Sequence, residues 1–138
     1  MTAVSGSLDA NVLLRLIIRD VPAQSHAALN LIEHGQRFLV ADTAVIETVF
    51  VLERYYQFPR AEIAEIMRIL TGNHKLILNR ELLEEALVAY TKFSKLSFED
   101  CCLAFGAKQH GASPLWTFDE KLWKQLPGLA RQIKVERS

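Results

Sequence analysis

The chain has 138 residues, half of them apolar, enough for one domain with its own core and no need of disulfides or a structural zinc. Lys plus Arg equals Asp plus Glu at 16 each, which excludes a globally basic nucleic-acid binder. Any polyanionic substrate then has to be held by a local patch and by metal.

The first expected element, after a polar leader from Thr2 to Gly6, is a strand ending near Leu8 and Asp9. The helix that follows, Asn11 to Arg19, is apolar on nearly every side and should be deeply packed. Pro22 suits the first turn of a second helix, whose inner stripe is read as Ala27, Ala28, Leu31 and Ile32 and whose end is set at Gly35. Phe38-Leu39-Val40-Ala41 predicts a short buried strand, and Asp42 or Thr43 then caps a helix reaching about Tyr56. Beyond Pro59, Ile63, Ile66, Met67 and Leu70 recur at helical spacing over Arg60 to Leu70.

His74 to Leu78 reads as a strand, and Glu81 to Phe93 as a helix with Leu83, Ala86, Leu87 and Tyr90 inward. Ser97 caps a helix that runs to His110 and stops at Gly111. Pro114 to Thr117 is the next strand, a short helix follows Asp119, and Ile133 to Val135 is a last edge strand. Strands alternating with helices imply a single α/β domain over residues 1–138, with a parallel sheet covered on both faces. Ligands of such sheets bind beyond the carboxyl ends of the strands.

Cys101 and Cys102 are adjacent. They cannot cross-link distant loops or form spaced zinc pairs, and they read as reduced thiols. The Val12–Ile18 run is preceded by Asp9 and broken by Arg15, unlike a signal peptide. No stretch approaches the roughly 20 apolar residues of a membrane span. A cytoplasmic protein without membrane contact is the expectation, with the apolar surplus going to a subunit or partner interface.

Four carboxylates stand out: Asp9, Glu47, Asp100 and Asp119. Each is flanked by residues that favour burial, and an ionised carboxylate away from water needs a compensating charge. Few cations lie beside them in the sequence, so a divalent metal is the expected compensation. Asp9 reads as a helix N-cap or as a ligand, and an apolar strand aimed at it favours the ligand. Glu47 interrupts Val45-Ile46 and Thr48-Val49-Phe50-Val51-Leu52, and the competing reading is a macrodipole-favoured first-turn residue. Asp100 fits a capping box with Ser97 as well as it fits a ligand, while Glu99 reads as solvated. Asp119 opens a turn, where Asp is common for local reasons, and Thr117 projects from the same side of the strand to orient water or ligand. Oxygen ligands of this kind suit Mg²⁺ or Mn²⁺. His26, His34, His74 and His110 show no ligand spacing and read as surface or helix-end residues.

With these residues in place, the chain resembles the PIN-domain family, and within it the VapC-type toxins of bacterial toxin–antitoxin pairs. Leu8-Asp9-Ala10-Asn11-Val12-Leu13-Leu14-Arg15 is similar to the family's opening strand and helix. Glu47 matches the second acidic position, Phe98-Glu99-Asp100 with Ala104 the third, and Thr117-Phe118-Asp119-Glu120-Lys121 the closing motif. The resemblance implies a three-layer α/β/α fold with a largely parallel five-stranded sheet in the order 3-2-1-4-5. It implies Mg²⁺- or Mn²⁺-dependent cleavage of RNA, a homodimer, and neutralisation by a small antitoxin protein. Asp9 and Asp100 are then the expected direct metal ligands. Glu47 and Asp119 bind metal through water or position the nucleophile, with Asn11 and Thr117 orienting the ligands. Two departures are Ala10, where many members carry Ser or Thr, and Cys101-Cys102, in place of small or apolar residues. Arg15 reads as a phosphate or antitoxin contact or as a surface ion pair. The alternative from another class is a non-catalytic PIN-like interaction module that keeps its acids for folding or partner binding.

Overall fold

A computed structural model describes residues 3–136 of the chain. They divide into two compact units, one ending at Arg80 and the other beginning at Glu81. The first contains β1 (Val4–Ser7), α1 (Ala10–Ile17), α2 (Pro22–His34), β2 (Arg37–Leu39), α3 (Asp42–Arg54), α4 (Arg60–Thr71) and β3 (Leu76–Ile77). The second contains α5 (Arg80–Lys92, whose first residue belongs to the first unit), α6 (Phe98–Gln109), β4 (Leu115–Thr117), α7 (Glu120–Gln125) and β5 (Ala130–Gln132). Thr2, where the polar leader was expected to begin, lies outside the described residues, and Val4 to Ser7 is strand rather than leader.

The mixed α/β class with parallel strands is as expected. Strands β1, β2 and β3 form a parallel sheet in that order, with Ser7 opposite Leu39 and Leu39 opposite Ile77. Strands β4 and β5 form a second parallel pair, with Trp116 opposite Arg131. The stretches 3-2-1 and 4-5 of the expected order are both present. A pairing of β1 with β4, which would join them into one sheet of five, is not among the pairings of the described residues.

In the first unit, α1 packs on α2 and α3, burying Ala10, Leu13 and Leu14. The helix is therefore one-sided rather than buried all round: Val12, Leu16, Ile17 and Ile18 are only half-buried. The inner face of α2 also differs from the expected stripe, since Ser25 and Ala28 are buried while Ala27 and Leu31 are exposed. Ser25 is tolerated inside because its hydroxyl donates to the Arg15 carbonyl at 2.9 Å, which meets the requirement on a buried polar group.

Gly35, the C-cap of α2, is glycine for reasons of space. A Cβ there would sit 2.3 and 2.5 Å from ring carbons of Phe38, itself only 2% exposed. The orphan carbonyls of this helix end are collected by one cation. Lys75 Nζ donates to the carbonyls of Ile32, Glu33 and Gly35 at 2.8, 2.9 and 3.1 Å, which also suits the helix macrodipole. Lys75→Met is expected to cost about 1–2 kcal/mol of stability, read as a lower urea midpoint at unchanged slope.

In the second unit the expected inner face of α5 is observed: Leu83, Ala86, Leu87 and Tyr90 are all buried. Tyr90 meets the ring of Phe98 edge-on at 5.6 Å. Helix α6 closes with Gly111 at φ +65°, and Ala112 and Gly111 donate to the Ala107 and Lys108 carbonyls. This is the left-handed stop that glycine permits. Cys101 and Cys102 are buried in α6 and in no disulfide. The last strand is Ala130–Gln132 rather than Ile133 to Val135. Among the described residues, no helix is long and apolar enough to cross a membrane.

Candidate metal centre

In the first unit, Asp9 is the N-cap of α1 and its Oδ1 accepts from the Val12 N–H at 3.0 Å. Leu8 and Ala10 on either side are buried, but Asp9 is exposed. The strand leading to it, Val-Ser-Gly-Ser, is exposed at every residue. An apolar strand driving this acid inward is thus not what the structure has, because β1 is an edge of its sheet. What fixes Asp9 is the helix it caps.

Glu47 is the sixth residue of α3. Val45, Thr48, Val49 and Leu52 form the buried stripe of that helix, and Glu47 falls on the other side, exposed. Its apolar sequence neighbours therefore do not enclose it, because at 3.6 residues per turn they point elsewhere. It also lies beyond the first turn, so the macrodipole does not account for it. Helices α1 and α3 pack together.

Asp42 fits the positional logic applied to Asp9, although the sequence reads it only as a cap. It is half-buried and begins α3 just past the carboxyl end of β2, with Ala41 as the actual N-cap. Ser7 pairs with Leu39, two residues before Asp9 in one segment and three before Asp42 in its neighbour. The signal was there in Phe38-Leu39-Val40-Ala41-Asp42, an apolar strand delivering an acid.

In the second unit, Ser97 and Asp100 form a complete capping box. The Asp100 N–H donates to Ser97 Oγ at 3.0 Å, and the Ser97 N–H donates to Asp100 Oδ2 at 3.2 Å. Asp119 caps α7, its Oδ1 accepting from the Lys121 N–H at 3.0 Å. Thr117 Oγ1 accepts from the Asp119 N–H at 2.9 Å, so Thr117 positions Asp119 itself. Both acids are half-buried. Helix α6 packs on β4, to which a short connection joins it.

A common pattern results. Asp9, Asp100 and Asp119 each give one oxygen to a backbone N–H at a helix start, and the second oxygen of each has no hydrogen-bond partner among the described residues. A carboxylate held in this way is oriented, is favoured by the helix dipole, and keeps one lone-pair face for a hard cation. By donor chemistry the set suits Mg²⁺ or Mn²⁺. No group of three or more His, Cys, Asp or Glu is gathered closely enough to hold a metal ion among the described residues.

Asn11 is exposed. Arg15 is engaged locally, with Nη1 2.6 Å from Asp20 Oδ1 and Nη2 3.4 Å from the Tyr56 hydroxyl, which itself donates to Asp20 Oδ2 at 3.0 Å. The hydrogen bond with Tyr56, then the charge of Asp20, raise its pKa further, which leaves it cationic throughout. The ion pair, one of the readings of Arg15, is observed. All four histidines are exposed.

Ser97→Ala removes one half of the capping box and is expected to cost about 0.5–2 kcal/mol, measured by thermal denaturation.

A family model described as PIN domain matches residues 7–129. No curated protein matches the chain.

Proposed function

The chain belongs to the PIN-domain family, a family of generally metal-dependent nucleases often found in toxin–antitoxin systems, and we propose that it is a VapC-type endoribonuclease toxin using Mg²⁺ or Mn²⁺. Residues 1–138 act as a single domain in this reading, supported by a family match that runs through both compact units. The observation that carries the proposal is the shared placement of Asp9, Asp100 and Asp119 at helix starts, each with one carboxylate oxygen engaged and one open.

Asp9 and Asp100 would hold the metal directly, with Glu47 and Asp119 contributing directly or through water. When bound, the metal lowers the pKa of a coordinated water and stabilises charge on the attacking and leaving oxygens of the phosphodiester. The rest belongs to the chain. The α1 and α6 amino ends hold the carboxylates of Asp9 and Asp100 in fixed rotamers. Thr117 holds the turn that aims Asp119. Asn11, exposed two residues after Asp9, is free to steady a ligand or a phosphate oxygen.

A homodimer and a small antitoxin are the proposed partners. Support comes from α3, where Phe50 is 54% exposed beneath the Arg54 guanidinium and Tyr55 is 76% exposed. Large exposed aromatic side chains on α3 and at its C-cap suit a protein interface.

The test is incubation of purified, antitoxin-free protein with total RNA and Mg²⁺ or Mn²⁺. Discrete fragments that disappear with EDTA are expected. Intact RNA with every metal, from folded protein that binds none, would favour the interaction module instead.

A further inference from the structure

We propose that a groove on the β4–β5 pair is a docking site for a single-stranded RNA segment, with a base stacked on Trp116 and phosphates on Arg131 and Lys134. This rests on the nuclease reading and names where its substrate is gripped. The groove has a volume of about 530 Å³, and its lining includes Trp116, Trp123, Pro127, Arg131, Ile133 and Lys134.

Parallel pairing sets Trp116 directly opposite Arg131, with the guanidinium 5.7 Å from the indole ring centroid. Trp116 is 56% exposed, so this strand spends its largest side chain on solvent rather than on the core. An aromatic face beside a cation is the arrangement that binds single strands: the ring stacks a base of any identity and the cation meets the backbone.

The charge of the lining points the same way. Arg131 and Lys134 lie there with no acidic residue among the lining side chains, in a chain whose formal net charge is zero. The local patch that a neutral protein needs for a polyanion is therefore present here. Trp123 adds a second indole to the lining.

Position links the groove to the chemistry. Trp116 and Asp119 are three residues apart on either side of the end of β4. A strand of RNA stacked on Trp116 would thus have its next phosphates close to that carboxylate.

The experiment measures anisotropy of a labelled 12-nucleotide single-stranded RNA on the full chain carrying Asp100→Asn, in EDTA, so that cleavage does not intervene. Trp116→Ala should weaken binding roughly 10-fold or more, and Trp116→Phe should retain most of the affinity. Arg131→Ala should reduce the slope of log affinity against log salt by about one. Circular dichroism confirms the fold of each variant. Unchanged affinity in Trp116→Ala and Arg131→Ala, with the parent binding well, overturns the groove and leaves the nuclease reading standing. Failure of the parent to bind the RNA also overturns the groove, while the nuclease reading is decided separately by metal-dependent cleavage of total RNA. Unchanged RNA affinity with a dimer that dissociates in Trp116→Ala, seen by sedimentation, makes the groove a contact between copies and also overturns the proposal.

Discussion

Asp9→Asn and Asp100→Asn are each expected to lower metal-dependent RNA cleavage by roughly 100-fold or more, the scale of several kcal/mol of lost charge stabilisation. The expected stability change is small, up to about 1 kcal/mol, because Asn caps a helix about as well as Asp at position 9 and at position 100 the main loss is the attraction to the helix dipole. In Asp9→Asn the side-chain oxygen can still accept from the Val12 N–H. In Asp100→Asn it can still accept from the Ser97 N–H. The substitution therefore removes charge and metal affinity while leaving the helix starts in place. Cleavage by gel and melting by circular dichroism on the same preparations separate the two effects. Full activity in both variants would contradict the assignment, as would activity lost only in step with unfolding.

Gly35→Ala is expected to destabilise the fold by about 1–3 kcal/mol, the usual range for forcing an extra methyl into a packed site. The added carbon would meet the Phe38 ring at less than van der Waals distance. That ring is held in the core between β1 and β3 as part of β2, so it cannot swing away cheaply. Phe38→Leu alone is also destabilising, since it leaves space behind. The double variant Gly35→Ala with Phe38→Leu should be less destabilised than the sum of the two, because each change relieves the other. Denaturant unfolding of the four proteins gives the coupling. Simple additivity would show that the close approach is not what demands glycine.

Much of the fold was legible because helix periodicity and helix ends are local signals. The α5 stripe of Leu83, Ala86, Leu87 and Tyr90 reads directly from spacing, as do the Ser97 cap and the Gly111 stop. The α2 stripe does not, since a serine can lie inside when a carbonyl from another helix receives its hydroxyl. The position of β5 misleads in a similar way. Ile133 and Val135 carry the stronger strand propensity, but the ladder with β4 pairs Leu115 with Ala130 and ends at Gln132.

For the site, the positions of the acids were legible and their surroundings were not. Asp9, Asp100 and Asp119 stand where a strand end or helix start was expected, yet none is sealed in the core. Apolar sequence neighbours do not bury a carboxylate when the helix turns them to another face, as Glu47 illustrates. Trp116 and Arg131 could not be recognised as a pair from the chain, because only strand pairing makes residues that far apart into neighbours.

The central claim, that these carboxylates hold a divalent metal, is tested most directly by titrating Mn²⁺ into the intact protein and into Asp9→Asn and Asp100→Asn by calorimetry. Binding to the parent and a loss of affinity of roughly 10-fold or more in each variant are expected. Equal Mn²⁺ affinity in all three proteins, or none in the folded parent, would contradict it.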